Sequence, residues 1–305
     1  MAQFKLYPFK HVAETALQAK VFFRSGASTV KKPIAIYYHG GSFVVGSKDM
    51  LAPHYVEKLL DLGFGAVVSP DYRLTPTISV YEGPVTDSLD AYNWASNELP
   101  KLLSSDSSIE VDGDRIVSFG HSCGGTLALL TANAAKPPRA ILDLFGMKYL
   151  KDESYHTPAP LPVPTPDKAL IDQVFQQVPP PIAAPPPFGP NGMDASTPRN
   201  AFFVSGMKAG TLLSSAVQDG NYDRVDPATL FSSSFPPTYF ANGTADTLVS
   251  VKLTEKAHEE LKAQGVESVL EILEGANHGF DVGKGPGTQE VDTVFKGLEF
   301  LRAHV

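Results

Sequence analysis

The 305-residue sequence predicts an α/β fold: a mostly parallel central sheet with helices on both faces and a Pro-rich insertion in its second half. Three observations predict it. Short, almost unbroken apolar runs such as Ile34-Ala35-Ile36-Tyr37-Tyr38 read as strands buried on both faces. Stretches of helical period stand between these runs, the alternation that builds parallel sheets. A composition of 43% hydrophobic and 19% charged residues is enough to fill a sizeable core.

Residues 4–12 and 16–23 read as an opening hairpin, with Leu17, Ala19, Val21 and Phe23 alternating along its second strand. Residues 33–38 form the next strand and end in His39-Gly40-Gly41-Ser42-Phe43. A helix over 52–62 gathers Tyr55, Leu59, Leu60 and Leu62 on one side. Residues 65–69 are again a strand, followed by Pro70-Asp71-Tyr72-Arg73-Leu74. One helix is expected over 84–103, with Pro84 in its first turn and Pro100 interrupting its end. Residues 114–119 read as a short buried strand, 125–135 as a helix and 140–145 as a further strand.

The rhythm then breaks. Residues 158–198 hold half of the chain's 26 prolines, which excludes a central strand or a long helix there. Short helices are expected at 166–177 and 201–216. Phe188, Phe202, Phe203, Leu212, Leu213 and Tyr222 give this part apolar groups to bury, so an ordered cap is expected rather than a disordered linker. The expected division is a core of residues 1–147 and 237–305 and a cap of residues 148–236. Strands at 237–241 and 268–273 and helices at 251–264 and 288–303 resume the pattern.

A net charge of −8 without a basic stripe argues against nucleic acid or an anionic membrane surface as partner. The single cysteine, Cys123, excludes an intrachain disulfide. Residues 1–10 lack the apolar core of a signal peptide, and no apolar run is long enough to span a bilayer. A cytoplasmic protein acting on a small, hydrophobic molecule is the expectation; a homo-oligomer is compatible with the sequence, which does not specify oligomeric state.

The chemistry centres on Gly120-His121-Ser122-Cys123-Gly124. A serine between a strand and a helix is held in a tight, strained turn that exposes its hydroxyl. Serine needs a base, the base an orienting acid, and the developing oxyanion a set of donors. In an open parallel sheet these come from loops at the carboxyl ends of strands. Asn242-Gly243-Thr244-Ala245-Asp246 follows one strand and offers Asp246 as the acid; Gly275-Ala276-Asn277-His278-Gly279-Phe280 follows the next and offers His278 as the base. Backbone N–H groups of Gly41, Ser42 and Cys123 are the candidate oxyanion hole. Cys123 is expected to be a small buried residue.

On these stretches, together with Asp71-Tyr72-Arg73-Leu74, the chain resembles the α/β-hydrolase superfamily, and within it the hormone-sensitive-lipase-like serine esterases. The resemblance runs over most of the chain in the right order. It implies an eight-stranded, mostly parallel sheet and ester hydrolysis without metal or organic cofactor. It also implies that His39 and Gly40 support the oxyanion loop, and that Asp71 and Arg73 brace the core through charge pairing. Three features depart from the family pattern. Ser42 replaces the third glycine of the usual loop, Thr75-Pro76-Thr77 replaces Ala-Pro-Glu, and the large insertion lies late in the chain. The expected function is cleavage of a carboxylic ester or lactone of a small to medium hydrophobic substrate. The alternatives are a non-hydrolytic lyase or cyclase using the same site, and a ligand-binding receptor, against which the complete set of catalytic residues counts.

Overall fold

The computed structural model describes residues 2–26, 30–189 and 192–305. In chain order the elements are β1 (Gln3–Val12), β2 (Thr15–Phe23), β3 (Lys32–Tyr38), α1 (Pro53–Asp61), β4 (Ala66–Pro70), α2 (Thr86–Asn97), α3 (Leu99–Ser107), β5 (Val111–His121), α4 (Cys123–Leu130) and β6 (Ile141–Leu144). There follow α5 (Lys168–Asp172), the short pair β7 (Phe188–Gly189) and β8 (Gly192–Met193), α6 (Pro198–Ala209) and α7 (Leu212–Ala216). The chain closes with β9 (Thr238–Gly243), α8 (Val251–Ala263), β10 (Ser268–Leu273) and α9 (Gln289–Ala303).

Eight strands form one sheet in the order β1-β2-β4-β3-β5-β6-β9-β10. Strand β2 is antiparallel to both β1 and β4, and every other neighbouring pair is parallel. The expected fold class is therefore the observed one. The unbroken apolar run of β3 has its physical reason here. Ile34, Ile36 and Tyr38 pack on one face with Leu99, Leu127 and Leu261. Ala35 and Tyr37 pack on the other with Tyr55, Leu59, Val294 and Leu298. A strand covered twice has no solvent face to mark with polar residues.

Three helices differ from their sequence expectation. The helix expected over 84–103 is broken. Pro84 lies inside a π-helical turn, Tyr81–Val85, and Pro100 sits in the first turn of α3. A proline there loses no intrahelical hydrogen bond, so Pro100 starts a helix instead of ending one. The helix expected over 125–135 begins earlier, at Cys123, and ends at Leu130 in a short 3-10 turn. The helix expected over 201–216 is split, because Gly210 takes the left-handed conformation (φ 68°) that terminates α6.

The segment between β6 and β9 is tied to the loops of the sheet. Of its Pro-rich stretch, Pro190 and Asn191 lie outside the described residues. Gly46 and Ala184 exchange backbone hydrogen bonds at 2.7 and 3.0 Å, and Leu74 N donates to Pro181 O at 2.8 Å. Val174, Phe202, Phe203, Val204 and Leu212 form one apolar cluster with Val44 and Val45 of the loop after β3. Arg199 of α6 is buried beneath them. Its Nη1 donates to the carbonyls of Val44 (2.8 Å) and Thr75 (2.6 Å), and its Nε donates to Gln177 Oε1 at 2.7 Å. Among the described residues it has no carboxylate partner, and burial lowers its pKa to about 10.

At the start of that segment Lys148 is fully buried. Its Nζ donates to Asp143 Oδ2 at 2.6 Å and Thr254 Oγ1 at 3.1 Å. Removing one member of a buried ion pair leaves the other charge desolvated and unpaired. Lys148→Met is therefore expected to lower unfolding free energy by about 3–5 kcal/mol, read from the midpoint of urea unfolding. A change within 1 kcal/mol or so would show that Asp143 is satisfied without the lysine.

Candidate active site

Four loops at the carboxyl ends of β3, β5, β9 and β10 converge above the sheet. After β5 the chain turns sharply into α4, and Ser122 takes φ 53° and ψ −128° at the turn. This is strained for a residue with a side chain, and neighbouring glycines allow it. A Cβ on Gly120 would run into the backbone of Gly124, and one on Gly124 would meet the carbonyl oxygens of Tyr38 and His39.

The loops after β9 and β10 bring two further side chains to this serine. His278 Nε2 lies 2.9 Å from Ser122 Oγ, and His278 Nδ1 lies 2.8 Å from Asp246 Oδ2. The other carboxylate oxygen of Asp246 accepts from the backbone N–H of Leu248 (2.8 Å) and Val249 (2.9 Å). The Asp246 side chain is buried, while that of His278 is 17% exposed. Phe145 packs against the imidazole in a T-shaped contact with the ring centroids 4.8 Å apart. The structure thus places Ser122, His278 and Asp246 in one hydrogen-bonded chain.

The loop after β3 wraps beside the serine, with Gly41, Ser42 and Phe43 all at positive φ. Gly41 and Ser42 line the space next to Ser122, and Cys123 follows it at the first turn of α4. Phe43 N–H donates to the Cys123 sulfur at 3.3 Å. The thiol itself is buried, and burial raises its pKa to about 11. It contributes packing rather than a nucleophile.

His39 is placed beneath the loop. Its Nδ1 bonds Gly40 O at 2.8 Å, and its ring stacks on Tyr72 at 4.1 Å with the planes 11° apart. The Tyr72 hydroxyl donates to His39 O at 2.9 Å. Burial lowers the His39 pKa to about 4, so the ring is neutral near pH 7. Asp71 pairs with Lys48 at 2.9 Å, and Arg73 holds Asp87 through two bonds of 2.8 Å.

Two cavities meet at the serine. One of about 530 Å³ reaches past Met147 and Leu161 to Leu213. The other, of about 610 Å³, reaches past Phe145 to Tyr55 and Phe188. Ser42, Ser122, Leu248 and His278 line both. The segment between β6 and β9 contributes wall to each, so both have largely apolar walls. Among the described residues no group of three or more His, Cys, Asp or Glu is placed to hold a metal ion. None of their helices is long and apolar enough to cross a membrane.

Sequence reasoning passed over one polar group in the second cavity. Asp281 lies three residues beyond His278, and its Oδ2 accepts from Tyr55 OH at 2.7 Å and from His121 Nε2 at 2.8 Å. Nothing in the spacing of these residues announces the cluster.

The family described as alpha/beta hydrolase fold matches residues 35–282. Among curated proteins the chain is similar to the non-reducing polyketide synthase ausA of Aspergillus calidoustus. The two are 31% identical over 323 residues, covering 92% of this chain and 13% of that protein. It is similar to the non-reducing polyketide synthase mapC of Penicillium brevicompactum at 31% over 327 residues, covering 95% and 13%. The chain thus spans about an eighth of the length of these relatives. Two solved structures share its fold. One is an esterase of Thermogutta terrifontis with butyrate bound (TM-score 0.65, 19% identity, 98% of this chain and 93% of that one). The other is an esterase of Pyrobaculum calidifontis (TM-score 0.65, 22% identity, 99% and 85%).

Proposed function

The chain belongs to the alpha/beta hydrolase fold family, and on that premise we propose that it is a serine hydrolase cleaving a carboxylic ester or lactone of a hydrophobic substrate. The observation that carries this reading is the continuous hydrogen-bonded chain from Ser122 Oγ through His278 to the buried Asp246. His278 takes the serine proton as Oγ attacks the ester carbonyl, and Asp246 holds the imidazole in the tautomer that leaves Nε2 free to accept. The N–H groups of Gly41, Ser42 and Cys123 receive the oxyanion. His278 then protonates the departing alcohol and activates water against the acyl-enzyme. Residues 148–236 act as the cap that gives the two cavities their apolar walls. The similarity to non-reducing polyketide synthases supports an acyl group of polyketide type as the substrate class.

That similarity also favours a second reading. An acyl-enzyme carrying its own nucleophile can be released by cyclisation instead of by water. One experiment separates the two. Short-chain 4-nitrophenyl esters are expected to release 4-nitrophenolate with turnover, and the acid formed in 18O-labelled water is expected to carry one labelled oxygen. No turnover on any such ester would overturn the hydrolase reading. Turnover of a hydroxyacyl ester to a product without label would establish the cyclase.

A further inference from the structure

The two cavities at Ser122 differ in the chemistry of their walls. The larger is walled by rings. Tyr37, Tyr55 and Phe145 come from β3, α1 and the residue after β6, and Phe188 and Phe203 from the segment between β6 and β9. With two imidazoles the first three form a continuous belt that starts at the proposed base. Phe145 meets His278 at 4.8 Å and His121 at 5.5 Å between centroids. His121 meets Tyr37 at 5.5 Å and Tyr55 at 6.1 Å. Asp281 Oδ2 ties the belt together, accepting from the Tyr55 hydroxyl at 2.7 Å and from His121 Nε2 at 2.8 Å. Asp281 Oδ1 and His121 Nδ1 are shut off from solvent, so this cluster holds the rings in place rather than offering polar atoms to a ligand. Phe188 and Phe203 form a T-shaped pair of their own at 5.8 Å.

The smaller cavity is walled chiefly by aliphatic side chains: Met147, Leu161, Met207, Leu212 and Leu213, to which Phe43 and Tyr155 add two rings. Rings held in fixed positions favour another ring, edge-on or offset, beyond the area it buries. Unbranched thioethers adapt their shape to a flexible chain. At about 530 and 610 Å³, each cavity alone has the size of a small-molecule site. A methyl or acetyl group would leave one of them empty. The residues that line both are Ser42, Ser122, Leu248 and His278, which puts the bond to be cleaved at their junction. Leu248 is the one of the four without a part in the proposed reaction, and it stands where the two halves of a substrate would diverge.

We propose that the substrate is an ester of two bulky apolar halves sorted by these walls, an aromatic half in the larger cavity and an aliphatic chain in the smaller. This deepens the reading of Ser122 as the nucleophile of an ester hydrolase and rests on it.

Four esters test it. They combine a heptanoyl or 3-phenylpropanoyl acyl group with a hexyl or 2-phenylethyl alcohol. Within each pair, phenyl replaces butyl two carbons away from the ester group, so the carbonyl keeps its reactivity. The reaction fixes which half is the acyl group, so one of the two mixed esters is expected to have the highest kcat/KM and the other mixed ester the lowest. The best is expected to exceed both matched esters by about two- to tenfold, the worth of an aromatic pair. Phe188 is 56% exposed, so Phe188→Leu removes a ring without disturbing the core. It is expected to weaken the phenyl preference at one position of the ester, acyl or alcohol, and leave the other as it was. Met207→Phe, which adds a ring to the smaller cavity, is expected to weaken the butyl preference at the opposite position. Four rates within about twofold, a matched ester as the fastest, or a variant that moves both positions alike would overturn the proposal. So would turnover of 4-nitrophenyl butanoate with none of the four esters cleaved. If 4-nitrophenyl butanoate is not cleaved either, it is the hydrolase reading that falls. Calorimetric binding of the four esters then tests the cavities by themselves, with a mixed ester expected to bind most tightly and equal affinities overturning the sorting.

Discussion

Ser122→Ala is expected to lower kcat on a short-chain 4-nitrophenyl ester by about a million-fold, with the fold and stability almost unchanged. The magnitude follows from the single chain of bonds. With Oγ gone, 2.9 Å from His278 Nε2, neither the base nor its aspartate has a proton transfer to assist. What remains is the proposed oxyanion hole and substrate binding, which sustain only a small residual rate. Stability changes little for two reasons. Alanine keeps the same Cβ in the same strained backbone (φ 53°), so no strain is relieved or added. The partner left behind, His278, is partly exposed and can bond water. The paired measurement is kcat against the urea midpoint. A variant retaining more than about a hundredth of the wild-type kcat would show that another group attacks the ester, since losing even one accessory donor typically costs that much.

Asp246→Asn is expected to cost about ten-thousandfold in kcat, through an inverted tautomer. Oδ1 of Asp246 accepts from two backbone N–H groups, those of Leu248 and Val249. In the asparagine variant the carbonyl oxygen stays on those donors, because an amide NH₂ there would face two N–H groups. The NH₂ therefore points at His278 Nδ1. That nitrogen must then accept, the proton moves to Nε2, and Nε2 can no longer take the serine proton. A kcat within tenfold of wild type would mean that the aspartate only fills space.

How much of this the sequence discloses depends on the range of each contact. Apolar runs with turn residues at their ends are local signals, and β10 falls on 268–273 as the run predicts. The meeting of Ser122, Asp246 and His278 was legible because each sits in a loop just after a strand, where parallel sheets gather their functional groups. Helix breaks were less so. In the sequence Pro100 reads as a stop, because a proline at a helix end and one in a first turn look alike; the structure ends the preceding helix at Asn97 and puts Pro100 in the first turn of the next. The Tyr55–Asp281–His121 cluster was illegible for a stronger reason. Its bonds join residues 226 and 160 positions apart, and each partner alone is an ordinary helix, loop or motif-filling residue.

The unpaired guanidinium of Arg199 bears on how the cavities are reached. Its donors rest on carbonyl oxygens of two separate loops of the sheet. Lifting α6 would strip those carbonyls of their partner and break the Val44–Phe202 apolar cluster in the same movement. Local openings of low free energy occur where few buried contacts are broken, and this segment breaks many. The amides of α6 are therefore expected to exchange with solvent together with those of the sheet beneath, which native-state hydrogen exchange would check. On that expectation, reaching Ser122 requires no lifting of α6.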